Sequence, residues 1–196
     1  MRIIEYMNRF KIEKTPLQCA LSHCDKHIVK MPLEEAQMLS TAHRMLDGTL
    51  EKRPSVSGKT MVKYWKLPDD RDGVIYKAVH THHPCTVWAA ETLGNYRWAY
   101  ALFSELCEEY AYRYGKTHKC WTTLSDALKL APDNINKSLE VTPMPLAMGA
   151  APECMDPNDV IGSYRKFYMT KQHRFSMVWK NRPIPEWFEY VKDTTV

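Results

Sequence analysis

The sequence is poor in glycine, with 7 in 196 residues, and it contains neither internal repeats nor a low-complexity tract. Fibrous and disordered classes are thereby excluded, because 44% of the residues are apolar and 26% charged, the balance of a folded globular chain. No run approaches the ~18 apolar residues of a membrane helix. Met1 to Phe10 carries Arg2, Glu5 and Arg9 where a signal peptide needs an unbroken apolar stretch. A soluble, unexported, cytoplasmic protein of one domain is expected. The six cysteines form no CxxC pair, so most read as reduced packing residues. His23 and His27 flank Cys24, and His80, His82 and His83 crowd beside Cys85. A Cys24/His27 pair with two ligands from the second cluster could bind zinc, but the spacings match no closed structural site, and neither metal nor cofactor is expected.

Strong charge of one sign is also missing. The net charge is +4, from 27 basic and 23 acidic residues, which does not by itself announce a nucleic-acid binder. Its distribution is more informative. Val160 to Pro185 holds Arg165, Lys166, Lys171, Arg174, Lys180 and Arg182 with no acid, interleaved with Tyr164, Phe167, Tyr168, Phe175 and Trp179. Lys52 to Lys66 holds five basic residues, Lys63 among them, and no acid. Cations mixed with aromatic faces suit phosphate contact and base stacking. The plain alternative is a solvated helix face with ordinary core aromatics.

The pattern predicts a mainly α fold: a single-domain helical bundle over 1–196, with an inserted basic loop and β-hairpin at 49–79 and a long Pro-rich connection at 142–157. Met1 to Lys14 reads as a short strand or an extended arm. Leu17 to Asp47 is helical up to Gly48, with a kink or a break expected at Pro32. Thr60 to Leu67 and Val74 to Val79 alternate around a turn at 68–73 and predict the hairpin, with a basic loop at 51–59 before it. A helix opens at Pro84 and breaks at Gly94. Asn95 caps the next, whose stripe of Tyr96, Ala99, Phe103, Leu106, Cys107, Tyr110 and Tyr114 runs to Gly115. Thr122 or Thr123 caps a short helix to Leu130. A last helix opens at Asp156-Pro157 and runs to about Gln172, burying Val160, Ile161, Tyr164 and Tyr168.

Three constellations bear chemistry. Cys24-Asp25-Lys26-His27 precedes Glu34 by two helical turns, which aligns His27, Lys30 or Met31, and Glu34 on one side. For Lys30, Glu34 and Glu35 the surface is the commoner fate. Thr81-His82-His83-Pro84 opens a helix, whose N-terminus attracts anions such as phosphate, although both imidazoles fit simple capping equally. Glu109-Tyr110, Arg113-Tyr114, Lys116 and His118 form the third.

The ordered set Asp25-Lys26-His27, Glu34, the helix opened by Pro84, and Arg182-Pro183 before Trp187-Phe188 and Tyr190 resembles the phage pyrimidine-dimer DNA glycosylases, the endonuclease V family. The match covers about half the chain. The resemblance implies a small helical bundle with Glu34 as catalytic carboxylate and His27 as a DNA-facing histidine. The chain also resembles small phage proteins that carry the same Cys-Asp-Lys-His element. In the glycosylases the nucleophile is the α-amine of a small residue exposed by removal of the initiator Met. Arg2 is bulky and is expected to leave Met1 in place, so a free amine from solution could substitute. The glycosylase-like thymine hypermodification transferases of phages are thought to act in this way, joining an amino acid to an activated 5-hydroxymethyl pyrimidine.

The expectation is therefore a DNA base-modifying transferase acting on an extruded thymine-derived base, with a glycosylase/lyase and a non-catalytic phage DNA-binding or host-targeting module as alternatives. Glu34, His27 and Asp25 form its catalytic set. Lys26, Lys30, His82, His83, Arg113 and His118 are assigned to substrate or phosphate, and Lys63, Arg165, Lys166, Lys171, Arg174, Trp179, Arg182 and Trp187 to DNA. Double-stranded DNA and a free amino acid are the expected partners, with no membrane, and a phage-encoded chain would work in the host cytoplasm.

Overall fold

The structure, a computed structural model, describes residues 8–191. It is mainly α, with seven α-helices and one two-stranded antiparallel hairpin among the described residues. The helices are α1 (Pro16–Ser22), α2 (Asp25–Asp47), α3 (Arg71–Val74), α4 (Pro84–Glu91), α5 (Leu93–Tyr114), α6 (Lys119–Lys129) and α7 (Val160–Met169). The strands are β1 (Thr49–Pro54) and β2 (Met61–Lys66), and 3₁₀ turns cover Pro152–Cys154 and Thr170–His173. The first half of the expected N-terminal strand or arm lies outside the described residues, and from Asn8 to Lys14 the chain forms no strand.

The long first helix is interrupted at His23 and Cys24, and Pro32 lies inside α2. Tertiary partners explain the position of the break. Arg113 donates to the carbonyls of Leu21 and His23, at 3.1 and 2.9 Å, and the Cys24 amide donates to the Tyr168 hydroxyl at 2.9 Å. The Asp25 amide reaches Val178 O at 2.8 Å. Backbone groups released at 21–25 are thus satisfied by the core, as buried helix ends require. Pro32 removes only one amide, which α2 tolerates among its packed neighbours.

The expected hairpin partner is corrected. Met61–Lys66 pairs with Thr49–Pro54, in the stretch read as a loop, and not with Val74–Val79. Asp72 is the reason. It accepts from Leu67 N–H, the Tyr64 hydroxyl and Arg44, folding 67–75 back onto α2. Arg44 then takes the carbonyls of Ile75 and Tyr76, which a third strand would need for pairing.

Caps also shift. Thr92, not Asn95, caps α5 through the Asn95 amide at 3.0 Å, and Gly94 lies within the first turn. That glycine is needed because the carbonyls of Leu139 and Glu140 press against it where a Cβ would stand. His118 caps α6 in place of Thr122 or Thr123, and Asp159 caps α7 three residues after Asp156. The α5 stripe is buried from Tyr96 to Cys107, with Tyr110 and Tyr114 half-buried. On α7 Tyr164 and Tyr168 are buried, joined by Ser163 and Phe167, whereas Val160 and Ile161 are only partly covered. Helix α5 packs against α1, α2 and α4 around one core, and α2 also packs against α4. No helix among the described residues is long and apolar enough to cross a membrane.

Candidate functional site

A cavity of about 950 Å³ opens where the N-terminal half of α2 meets the 80–84 turn, segment 146–150 and the end of α7. Helix α2 supplies His27, Lys30 and Glu34, one face at spacings of three and four. The turn supplies His80, His82 and His83, and α7 with its 3₁₀ extension supplies Phe167, Lys171 and Arg174. Asn8 and Phe10 close one side, and Leu146, Met148 and Met155 form an apolar wall. The volume is that of a small-molecule site.

Charged side chains of both signs line this wall. Among the described residues, its lining holds Lys30, Lys171 and Arg174 and one carboxylate, Glu34. Glu34 is 7% exposed; one oxygen meets Lys30 Nζ at 2.8 Å and the other accepts from Asn8 N–H at 2.9 Å. A carboxylate held by both a cation and an amide has a fixed orientation. Lys171 Nζ stands 3.7 Å from the centre of the Phe167 ring, a cation–π contact.

His27 is 5% exposed and stacks on Phe10 with ring centres 5.0 Å apart. Burial first, then the charges of His23, Lys30, Lys171 and Arg174, push its pKa well below the usual value. Its Nδ1 is buried without a hydrogen-bond partner. Burial thus favours the neutral ring, which presents an aromatic surface to the cavity. His23 beneath it is held neutral by burial, with its pKa pushed down to about 4, and its Nδ1–H donates to Cys19 O at 2.5 Å.

His83 caps α4, its Nδ1 accepting from Cys85 N–H at 3.2 Å. Neutral His83 therefore carries its proton on Nε2. Because its carbonyl also takes the amides of Thr86 and Val87, the first-turn donors of α4 are already engaged. Among the described residues the cations lining the cavity are therefore side chains and not that helix terminus. His80 adopts φ +49°, a left-handed conformation that starts the turn closed by His83 N–H to His80 O at 2.9 Å.

Of the residues singled out from sequence, the cavity gathers His27, Lys30, Glu34, His82, His83, Lys171 and Arg174. The others lie elsewhere. Asp25 accepts from Arg113 and from Lys180 N–H, both at 2.9 Å, and pins the C-terminal segment to α2. Arg113 is 2% exposed and its guanidinium is divided among Glu109, Asp25 and two carbonyls. Lys26 rides over Phe175, and His118 joins α6 to Val29 O. Arg165 binds Ile12 O and Glu13, Arg182 binds Glu109 bidentately, Trp179 donates to Ser22 O and Trp187 to Glu13. Lys166 is exposed, and Lys63 lies on the hairpin. Glu35, read as a surface residue, is fully buried against Arg9.

Sequence reasoning missed Asn8, Phe10 and the 146–150 wall. Asn8 Nδ2 donates to Ala147 O at 3.0 Å, a contact between segments 139 residues apart that no local pattern could signal. Among the described residues no three His, Cys, Asp or Glu side chains converge as a metal would require. Comparison with protein-family models, curated proteins and solved structures finds no match to this chain.

Proposed function

We propose that the chain is a DNA base-modifying enzyme that takes an extruded pyrimidine nucleotide into this cavity and joins a free amine, such as that of an amino acid, to its activated 5-hydroxymethyl carbon. The observation that carries the reading is the meeting of one oriented carboxylate, Glu34, with Lys30, Lys171 and Arg174 in a cavity of nucleotide size. Phe10, Phe167 and the apolar 146–155 side offer surfaces to a base, which has to leave its stack for chemistry at this position.

In the proposed step the amine nitrogen forms a bond to the 5-methylene carbon. The bond from that carbon to the phosphate oxygen breaks, and its electron pair leaves with the phosphate. Lys171 and Arg174 receive the growing negative charge, and Glu34 takes the proton released by the attacking nitrogen. Lys30 shares Glu34 and sets its orientation. The neutral His83 ring, protonated on Nε2, supplies a hydrogen-bond donor.

A glycosylase/lyase is the second reading, and one contact favours it. The Asn8 amide on Glu34 brings the N-terminal segment to the carboxylate, the arrangement that an amine nucleophile near the chain start would use. The two separate on UV-irradiated duplex without added amine. Strand breaks and borohydride trapping would establish the glycosylase. Absence of both, together with binding of a 5-phosphomethyl-deoxyuridine nucleotide that Lys171→Ala weakens, supports transfer; no binding of that nucleotide overturns it.

A further inference from the structure

We propose that the outer face of the β1–β2 ribbon is a docking surface for duplex DNA, separate from the cavity. The pairing register sets Lys52 directly opposite Lys63, between the pairs Leu50–Trp65 and Pro54–Met61. Alternation along the strands places these six residues on one face. Lysines directly opposed on a ribbon repel and lower its stability, and no acid occupies a neighbouring position on that face to relieve them.

The other face carries one exposed lysine, Lys66, and pairs its remaining charges. Glu51 pairs with Arg53 at 3.1 Å, and the Tyr64 ring lies under Arg53 at 3.7 Å and Arg44 at 5.1 Å. The outer face instead mixes its two lysines with exposed apolar groups, Leu50 at 52% and Met61 at 60%. That combination matches a sugar–phosphate backbone: ammonium groups for phosphates, apolar groups for deoxyribose C–H. A two-stranded ribbon is also one of the shapes that the major groove of B-DNA admits.

The ribbon is firmly mounted on the helix that carries Glu34. Strand β1 follows α2 directly after Gly48, and Arg44, 1% exposed, donates to Trp65 O and Asp72 Oδ1, both at 2.7 Å. From Glu34 to Gly48 the helix rises about 21 Å, or about six base-pair steps of duplex. The ribbon would therefore grip DNA to one side of the extruded nucleotide. For its partner this inference rests on the proposed function; its surface and residues are distinct.

The test is fluorescence anisotropy of the full-length protein on a labelled DNA duplex over a range of salt, for wild type and Lys52→Gln/Lys63→Gln. The expected result is a roughly tenfold or greater loss of affinity and a salt slope lower by about 2, reflecting two lost phosphate contacts. The double variant should melt no lower than wild type, since a repulsion has been removed. If it does melt lower, Lys52→Gln alone is held to half the change in slope. Wild-type affinity and slope in these variants would overturn the ribbon inference and leave the DNA reading standing. Failure of the wild type to bind duplex even at low salt would overturn both. Loss by the variant of binding to RNA duplex or to phosphatidylserine–phosphatidylcholine vesicles, with DNA binding intact, would assign the face to another partner and overturn the inference.

Discussion

Glu34 and Glu35, consecutive on α2, each hold one of two consecutive residues of the N-terminal segment, Asn8 and Arg9. Glu35 is fully buried and takes Arg9 through hydrogen bonds of 2.6 to 3.0 Å, while Glu34 turns to the cavity and accepts from the Asn8 amide. Arg9 also donates to Cys85 O at 3.3 Å and lies 5.2 Å from the Trp88 ring centre. The segment before α1 is thereby clamped between α2 and α4, which supply two sides of the cavity. Burial drives the Glu35 carboxyl pKa up and its Arg9 fork opposes that, so the pair holds its charge only while both partners are present.

This division predicts opposite behaviour for two similar substitutions. Glu35→Gln leaves a buried guanidinium without its counter-charge and should lower stability by about 3–5 kcal/mol, or prevent folding. Glu34→Gln removes the charge of a buried carboxylate whose partner Lys30 is partly exposed, keeps an oxygen that can accept from Asn8 N–H, and should change stability by about 1 kcal/mol while abolishing turnover. Urea denaturation beside an activity assay checks both.

Three buried histidines predict acid sensitivity. Burial pushes the pKa of His23 and His43 down to about 4, and that of His27 well below the ordinary 6.5. The unfolded chain binds the protons that the native state refuses, so this stability is complete above pH 6.5 and is lost as pH falls toward 4. Each group contributes up to roughly 1.4 kcal/mol per pH unit in that window. Urea midpoints should hold from pH 7.5 to about 6.5 and then fall to pH 5; a flat profile throughout would contradict the assignment of neutral histidines.

Gly94→Ala should disturb the cavity from a distance. Its methyl group would collide with the carbonyls of Leu139 and Glu140, in the segment that continues to the 146–150 wall. A loss of about 1–3 kcal/mol is expected from the forced backbone shift, with a rise in KM larger than the fall in kcat. Thermal melting and steady-state kinetics separate the two effects.

The cationic side of the cavity predicts a salt-dependent affinity for phosphate. Lys171→Ala and Arg174→Ala should each weaken a phosphorylated pyrimidine nucleotide by about tenfold, as expected for loss of a charged hydrogen bond. Arg113→Lys should act through folding instead, because its fork holds Leu21 O, His23 O, Asp25 and Glu109. Calorimetric titration and melting curves distinguish these outcomes.

The mainly α class, the α5 stripe and the α2 face of His27, Lys30 and Glu34 were legible because helical spacing is local. The strand at 61–66 was legible by alternation, but its partner depended on Arg44 and Asp72, which lie far apart in sequence and decide where 67–76 folds. Basic and aromatic residues of 160–190 looked alike in sequence. In space Lys171 and Arg174 reach the cavity, whereas Arg165, Arg182, Trp179 and Trp187 fasten the C-terminal segment to Glu13, Glu109 and Ser22. Sequence types a residue but does not say which carboxylate or carbonyl will claim it.

The central claim is that Glu34 and its cationic neighbours exchange phosphate for an amine on a pyrimidine in DNA. Intact mass of duplex DNA carrying a 5-phosphomethyluracil, incubated with the protein and a mixture of amino acids, tests it most directly. The predicted result is a product heavier by one amino acid and lighter by one phosphoric acid, formed by the wild type and not by Glu34→Gln. An unchanged mass with the wild type, or the same product from Glu34→Gln, would contradict the account.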